Sequence, residues 1–287
     1  MSNIPAMTKA IEFIEDSLKE DITVADIADA VSYSLYHFCR MFNRVIHHTP
    51  YDYLIRRRLS ESARELVETD EKIIEIAFGY RFNSPETYSR AFKRMFGVQP
   101  YQWRKQRSID RRSLMSRLTL EHIEHINKGD YLKPVLEERD AFQVAGVMTL
   151  VKDDQGVIPQ LWDTLAQELE GIKDTGMTRG YYGIACYPRD WQERGHLYMA
   201  AVEVESLDIL GSALVVKTMP ASKCARFVHK GPYKDLRLTL DYIYQTWLPK
   251  SGKRLASSFE IEYYGQDFRR PDNEESETEI YIPIKLE

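Results

Sequence analysis

The feature that most constrains this chain is a residue pattern that occurs twice, 50 positions apart. The first copy, Ser34-Leu-Tyr-His-Phe-Cys-Arg-Met-Phe-Asn-Arg, matches Ser84-Pro-Glu-Thr-Tyr-Ser-Arg-Ala-Phe-Lys-Arg at one serine, two arginines and one phenylalanine. The apolar residues upstream match at a shift of 49, which pairs Val24, Ile27 and Ala28 with Ile73, Ile76 and Ala77. The second copy therefore has one extra residue in its turn. One copy is an ordinary product of helical packing, whereas two copies in register indicate a duplicated unit.

The second copy predicts two short helices joined by a tight turn, since its apolar residues recur at helical spacing. Gly79 is expected to end the first helix, because glycine tolerates a left-handed backbone. Ser84 followed by Pro85 predicts the next helix start, with the serine hydroxyl as cap. The predicted buried side chains of that helix are Tyr88, Ala91, Phe92 and Met95. This is a helix-turn-helix, the motif that places a helix in the major groove of DNA.

In each of the two motifs, the outward face of the second helix carries polar and basic side chains, which predict DNA contacts. Arg40 and Arg90 occupy matching positions and are expected to be the main contacts to base edges or phosphates. The complete predicted set is Tyr36, His37, Arg40, Arg44, Ser84, Glu86, Thr87, Ser89, Arg90, Lys93 and Arg94.

A long helix from Tyr51 to about Glu68 is predicted between the two copies. Its length of about 27 Å suits a rod that holds two recognition helices about one duplex turn apart, about 34 Å. For Arg56–Arg58 on this helix, a solvated face and phosphate contact are both open interpretations. His47 and His48 end the first recognition helix, where interaction with the helix C-terminus is favoured over metal binding.

Residues 4–107 resemble the DNA-binding domain of the AraC/XylS family of bacterial transcription regulators. The second copy carries the resemblance most strongly, through IAFGYRFNSPETYSRAFKRMFGVQPYQWR. The first copy departs from the family pattern at Cys39, which takes an outward slot where a polar base-reading residue is expected. The resemblance implies a protein that binds double-stranded promoter DNA, with RNA polymerase as a further candidate partner.

Charge is divided unevenly along the chain. The net charge is −5, but residues 1–118 carry 19 Lys and Arg against 16 Asp and Glu, a net +3, and the remainder is acidic. A local positive field suits DNA binding. No run is long enough for a membrane span, and the polar N-terminus does not fit a signal peptide. Cys39, Cys186 and Cys224 are far apart, so we expect a reducing cytoplasm and no disulfide, metal site or cofactor.

Residues 108–130 are polar and helix-prone and are predicted to link residues 1–107 to residues 131–287; His122 and His125 are expected at the surface. Beyond Tyr131, strand and helix patterns alternate. The predicted strands are Ala141–Val151, Gly180–Tyr187, His196–Val204, Ala213–Met219, Lys223–His229, Ser258–Tyr264 and Glu277–Leu286, and the helices are Ile158–Ile172 and Tyr233–Leu248. The fold class is therefore multidomain: an all-α part with two helix-turn-helix motifs, then an antiparallel α+β part built from a duplicated β-α-β-β unit.

One predicted strand carries two carboxylates among many aromatic residues. Alternation places Glu260, Glu262 and Tyr264 on the same face. A carboxylate on an inward face needs a cation or hydrogen-bond donors, and aromatic faces also attract cations. Most of these rings could instead be core packing, and Glu262 could be solvated or paired with an arginine. The sequence leaves these alternatives open.

Residues 131–287 resemble the GyrI-like effector-binding domain. The motifs are His229-Lys-Gly-Pro-Tyr, Tyr244-x-x-Trp247-Leu-Pro-x-Ser-Gly252, Phe259-Glu-Ile-Glu-Tyr-Tyr-Gly-x-Asp267 and Glu279-Ile-Tyr-Ile-Pro-Ile284. The resemblance implies a small-molecule pocket whose carboxylate is Glu262, with Glu260 as the alternative. The candidate ligand-binding residues are Trp162, Tyr187, Tyr198, Trp247, Glu262, Tyr264 and Tyr281.

The sequence thus predicts a transcription regulator that senses a small, cationic or aromatic molecule, as a monomer or a homodimer and without membrane contact. The alternative is a hydrolase that acts on a reactive small molecule, since a Glu–Tyr pair can perform acid–base chemistry. No Ser-His-Asp, Cys-His or metal-binding pattern supports that alternative, and no residue is assigned as catalytic. Activation and repression are equally open.

Overall fold

A computed structural model describes residues 3–106, 111–128, 132–152, 156–170, 177–188, 191–204 and 214–285. The described residues of Met1–Gly129 and Leu238–Ser251 form one compact unit, which we call the helical unit. Those of Asp130–Arg237 and Gly252–Glu287 form the second, which we call the sheet unit. Within the described ranges, no helix combines the length and the apolar character that a membrane crossing requires. The predicted ends at Ile172, Ala213 and Leu286 lie outside these ranges.

The helical unit begins with two helix-turn-helix motifs joined by a long helix. Its helices from the N-terminal part are α1 (Ile4–Asp16), α2 (Val24–Ala30), α3 (Leu35–Ile46), α4 (Pro50–Glu68), α5 (Ile73–Gly79), α6 (Pro85–Phe96), α7 (Pro100–Gln106) and α8 (Leu120–Asn127). The predicted recognition helices α3 and α6 occupy matching positions at the shift of 50. The turns match as well, because Ser32 (φ 60) and Arg81 (φ 61) adopt the same left-handed conformation at the shift of 49.

The helix ends follow local sequence signals with one correction. The Ser84 hydroxyl accepts a hydrogen bond from the Thr87 amide at 3.2 Å and so caps α6, as predicted. Gly79 ends α5 as predicted, but not through a left-handed backbone, because the left-handed residue of the turn is Arg81. The reversal lies two positions after the helix end in both motifs, at Ser32 and at Arg81, so the extra residue of the second turn follows it.

The long helix α4 contributes to two apolar cores. Tyr53 and Leu54 pack in the core of the first motif with Phe38 and Phe42. The C-terminal half of α4 packs in the core of the second motif through Leu59, Ala63 and Leu66. Burial of apolar surface on both sides holds the two motifs on one rod, since burying each such side chain contributes about 1.5–3 kcal/mol.

Two arginines of α4, Arg57 and Arg58, are buried. For these two residues, both a solvated face and phosphate contact are therefore wrong. Arg57 is 4% exposed and its guanidinium binds Glu15 at 2.7 and 2.8 Å. Arg58 is 5% exposed and donates to the carbonyls of Leu18 and Glu20. Arg57 fastens α1 to α4, Arg58 fastens the segment after α1 to α4, and neither side chain is available to phosphate. The expectation that His122 and His125 lie at the surface is also wrong, because they are 7% and 1% exposed.

The sheet unit is built on a curled antiparallel sheet. Its strands are β1 (Val135–Arg139), β2 (Phe142–Val151), β3 (Met177–Cys186), β4 (His196–Val204), β5 (Val215–Met219), β6 (Ser222–Lys230), β7 (Arg254–Leu255), β8 (Phe259–Tyr264) and β9 (Glu277–Lys285). The order is β1-β6-β9-β8-β3-β4-β2-β5, with β7 on β9. If β1 is exchanged with β5, β2 with β6, β3 with β8 and β4 with β9, the same strand order is read from the opposite edge of the sheet. The predicted antiparallel α+β fold class is confirmed, and the duplication of a β-α-β-β unit stays a prediction.

The two faces of this sheet differ in what covers them. One face packs on helix α9 (Val157–Glu170), which lies against β2 and β4. On the other face, Tyr182, Ile184 and Ile261 are buried in one cluster. The glutamates and aromatic residues predicted for the pocket are therefore distributed between two different environments.

Some elements were not predicted from the sequence. β1 is a charged edge strand, α10 (Trp191–Arg194) is a single turn, and β7 has two residues. The predicted helix Tyr233–Leu248 is instead a 3-10 turn at Tyr233–Asp235, followed by α11 (Leu236–Tyr242), a π-helical turn at Ile243–Trp247 and α12 (Leu248–Ser251). These segments are short or irregular, so they lack the sustained periodicity on which prediction depends.

Candidate functional site

The first candidate site is the outward surface of α3 and α6. Arg40 and Arg90 are both exposed, and neither forms an ion pair with a described residue. Tyr36 is 78% exposed at the start of α3. The rest of the predicted set is also exposed, except that Ser84 and Ser89 are half-buried. Both helices therefore present uncompensated positive charge to solvent, as binding to a phosphate backbone requires.

The start of α6 adds an acceptor to this surface. Backbone and Ser84 hydrogen bonds lower the pKa of Glu86, which is fully exposed beside Arg90. Glu86 is therefore anionic at neutral pH and can accept a hydrogen bond from a cytosine amino group. Ser84 has a structural role here, since its hydroxyl caps the helix.

The second candidate site lies on the face of the sheet that packs against α9. Glu262 of β8 is 3% exposed, and its Oε2 accepts hydrogen bonds from the hydroxyls of Tyr198 and Tyr264, each at 2.6 Å. No described lysine, arginine or histidine forms an ion pair with it. A buried carboxylate with donors on one oxygen and no paired cation retains an unsatisfied preference for positive charge.

Gly183 on the adjacent strand provides the space for this arrangement. It pairs with Glu262 across β3 and β8. A Cβ atom at position 183 would lie 2.2 Å from the Tyr198 hydroxyl and 2.5 Å from Glu262 Oε2. Only glycine leaves room for the two side chains to meet. Nothing in the local sequence identifies this role, because it depends on the register of two strands nearly 80 residues apart.

The surroundings of Glu262 bring the pKa of its carboxyl group close to neutral pH. Burial, with a smaller contribution from Glu260, raises the pKa of Glu262 to about 7, although the two tyrosine hydroxyls oppose the shift. Burial and the nearby carboxylate raise the pKa values of Tyr198 and Tyr264 well above the ordinary range, so both hydroxyls stay protonated as donors. The site can therefore bind a cation when Glu262 is ionised, or hold a proton when it is not.

Aromatic rings and a second carboxylate complete this site. Trp162 of α9 meets the Tyr264 ring edge-on, with centroids 5.2 Å apart. Glu260, two residues before Glu262 on the same face, is 1% exposed and accepts a hydrogen bond from Tyr187 at 2.6 Å. Tyr233 packs in the same cluster and was not predicted from the sequence.

The structure thus brings together five of the seven residues predicted for the ligand site, namely Trp162, Tyr187, Tyr198, Glu262 and Tyr264. Tyr281 lies on the other face, where it donates to Glu279 and stacks under Arg139 at 4.1 Å. Trp247 lies in the π-helical turn of Leu238–Ser251, which belongs to the helical unit. We leave both out of the proposed site.

The two units define a class of protein with paired helix-turn-helix motifs and a curled antiparallel sheet that carries a buried carboxylate. The chain belongs to the GyrI-like family, whose profile, described as a GyrI-like small molecule binding domain, matches residues 132–285. A helix-turn-helix domain profile matches residues 27–106, and the N-terminal part is of the AraC type.

Several proteins are similar to parts of this chain. The uncharacterized HTH-type transcriptional regulator YbfP of Bacillus subtilis (strain 168) is 38% identical over 99 residues, 34% of each chain. The multiple antibiotic resistance protein MarA of Escherichia coli (strain K12) is 33% identical over 94 residues, which span 33% of this chain and 74% of MarA. The crystal structure of the EcmrR C-terminal domain is 22% identical, with a TM-score of 0.46, and covers 54% of this chain and 98% of its own. The region that this chain shares with YbfP spans about a third of the length of YbfP.

Proposed function

We propose that this protein is a DNA-binding transcription regulator whose sheet unit senses a cationic aromatic molecule. The observation that carries the sensing part is Glu262, a buried carboxylate with no paired cation among the described residues, beside Tyr198, Tyr264 and Trp162. Aromatic faces and a carboxylate together recognise a delocalised cation, because the rings supply apolar area and the charge fixes its position. The observation that supports DNA binding is the pair of exposed basic helices α3 and α6.

A direct test of DNA binding concerns Arg40 and Arg90. We expect Arg90→Ala and Arg40→Ala each to weaken binding to a duplex selected by the full chain from a random-sequence pool. A base-reading arginine contributes about 1–3 kcal/mol of discrimination, so the loss should be about five- to 150-fold, measured by fluorescence anisotropy. Melting temperatures should change little, because both side chains are exposed.

The salt dependence separates two kinds of contact. If Arg90 contacts only phosphate, its removal weakens binding evenly across sequences and lowers the salt slope by about one. If it reads a base, discrimination is lost at one position. Lys9→Ala, which removes an exposed positive charge outside both recognition helices, is the control. Unchanged affinity in both arginine variants would contradict the assignment of this surface.

The sensing site should bind cations in a pH-dependent manner. Because the pKa of Glu262 is about 7, the carboxylate is protonated at lower pH and must lose that proton to bind a cation. We expect affinity for a permanently charged N-methylated aromatic cation to fall about tenfold per pH unit below 7 and to level off above it. Isothermal titration calorimetry from pH 5.5 to 8.5 in buffers of different ionisation enthalpy would also detect the released proton. A flat profile in this range would exclude Glu262 as the binding group.

A hydrolase remains the second candidate, supported by the same pKa near 7, which suits a general acid or base. The two functions differ in the fate of the ligand. A sensor returns the bound molecule unchanged, whereas a hydrolase converts it with an activity that Glu262→Gln abolishes. Mass spectrometry of the ligand recovered after long incubation with the full chain distinguishes them.

The partners of the proposed regulator are promoter DNA and a small-molecule effector, with RNA polymerase as a further partner. The chain is proposed to act as a monomer or a homodimer. In the monomer, two recognition helices on one chain suffice to read two successive major grooves, since α4 connects the cores of both motifs.

A further inference from the structure

The segment Leu238–Ser251, which we call the docking segment, lies within the residue range of the small-molecule-binding family but packs in the helical unit. It contains the end of α11, the π-helical turn Ile243–Trp247 and α12. π-helical turns are rare and often occur at functional sites. At both ends the chain continues into the sheet unit, at Arg237 and Gly252.

Five hydrogen bonds, two of them buried, hold the docking segment in place. His48 Nε2 lies 3.0 Å from Thr246 Oγ1, and both side chains are buried. His47 Nδ1 lies 3.1 Å from the Tyr242 hydroxyl. Three further hydrogen bonds join His125 to Thr239 at 2.7 Å, the Ser116 amide to Gln245 at 2.9 Å and His122 to Asp241 at 3.3 Å. Polar contacts of this kind fix one geometry, because each depends on direction as well as distance.

The protonation of His48 makes its contact with Thr246 directional. Burial lowers the pKa of His48 to about 4, so the ring is neutral at physiological pH. Its Nδ1 lies 2.6 Å from an oxygen of Asp52. Burial alone would raise the pKa of Asp52, but the hydrogen bond from His48 and the positive charge of Arg56 lower that pKa to about 2. The ionised carboxylate accepts a hydrogen bond from Nδ1–H, so Nε2 has no proton and accepts the hydrogen bond from the Thr246 hydroxyl. Removing that hydroxyl leaves a buried acceptor without a donor.

The internal duplication shows that these two histidines have no histidine counterparts in the second motif. At the shift of 50 their counterparts are Gly97 and Val98. Gly97 ends α6 with φ 78, and His47 ends α3 in the same left-handed conformation with φ 60. A left-handed residue other than glycine is unfavourable and needs compensating contacts. In the first motif, Tyr242 of the docking segment makes such a contact with His47.

We propose that the docking segment positions the first recognition helix, α3, through Thr246 and His48, and so controls how one of two DNA half-sites is read. His47 and His48 directly follow the last residue of α3, and α4 begins two residues later. Of the residues described in α5 and α6, none hydrogen-bonds to the docking segment, whereas His47 and His48 of the first motif do, so we expect the control to act on the first motif. The proposal rests on the proposed DNA-binding function.

The test compares Thr246→Val, which keeps the shape and removes the hydroxyl, with Thr246→Ser, which keeps the hydroxyl. The probe is the duplex selected by the unmodified full chain, and base discrimination is measured at every position. The positions that lose discrimination in Arg40→Ala define the α3 half-site, and those lost in Arg90→Ala define the α6 half-site. We expect Thr246→Val to weaken binding about 2- to 30-fold, with loss of discrimination confined to the α3 half-site. Thr246→Ser should bind like the unmodified chain.

Tyr242→Phe provides a second variant that removes the hydroxyl opposite His47 and should affect the same half-site. A general loss of stability would weaken both half-sites equally, which would overturn the proposal, as would unchanged binding by Thr246→Val or failure of Thr246→Ser to retain discrimination. If the unmodified chain enriches no duplex, the DNA-binding function itself is wrong and the proposal falls with it. Melting temperatures of all variants identify any that are unfolded.

Discussion

Replacing Glu262 with glutamine is expected to weaken binding of a cationic aromatic ligand about ten- to a hundredfold, because a hydrogen bond or contact to a charged group contributes about 1.5–3 kcal/mol. Glutamine preserves the shape of the side chain and can still accept from Tyr198 and Tyr264, so the site should remain intact. The cation is chosen by a thermal-shift screen of N-methylated aromatic compounds against the full chain. Affinity is then measured by calorimetry at pH 8, where the carboxylate is ionised.

Two controls separate charge from shape. A neutral isostere of the cation, as 1-methylnaphthalene is of 1-methylquinolinium, should bind both proteins equally. Glu260→Gln, a matched change on the same strand face, should have the smaller effect, since the Tyr264 ring that Trp162 meets is bonded to Glu262, whereas Glu260 is bonded to Tyr187. If Glu262→Gln binds the cation as tightly as the unmodified chain and Glu260→Gln does not, the pocket carboxylate is Glu260.

The second large effect concerns stability. We expect Arg57→Ala to destabilise the helical unit by about 3–5 kcal/mol, because it leaves the carboxylate of Glu15 buried without its partner. Arg57 binds Glu15 through two nitrogens and also donates to the carbonyl of Met115 at 2.6 Å. The side chain thus connects α1, α4 and the segment before α8. Urea unfolding of the full chain, followed by circular dichroism at 222 nm, measures the change.

Arg56→Ala is the matched control, since its side chain pairs with the partly exposed Asp52. Such pairs contribute about 0–1 kcal/mol. The double variant Arg57→Met with Glu15→Leu should recover much of the lost stability, because replacing both members of a buried ion pair by apolar residues is often neutral or stabilising. If Arg57→Ala unfolds at the same urea concentration as Arg56→Ala, the ion pair does not hold α1 on α4.

Comparison of individual elements shows how far local pattern extends. The repeat at a shift of 50 predicted α3 and α6 at matching positions, because a helix that buries Phe42 or Phe92 must carry its arginines on the opposite side. Alternation along β8 likewise placed Glu260, Glu262 and Tyr264 on one face. These predictions succeed because each depends only on the geometry of its own helix or strand.

The same logic failed where a side chain's partner lies far along the chain. Arg57 and Arg58 look like solvent-facing residues of a polar helix, and only the packing of α1 buries them. Tyr281 has the composition of a pocket residue, but the register of β9 on β8 turns it to the other face. The polar segment before the sheet unit likewise hides Leu114 and Met115 in two apolar cores.

The sequence by itself therefore determined that the chain has two helix-turn-helix motifs, an α+β unit and a strand with two carboxylates, since periodicity reports which side of each element faces inward. Only the tertiary structure decided that Gly183 opens the space where Tyr198 meets Glu262, and that Thr246 meets His48 across 198 residues. Hydrogen bonds and ion pairs form between specific atoms, and their partners are chosen by strand register and helix packing. Those are long-range properties, and no window of local sequence contains them.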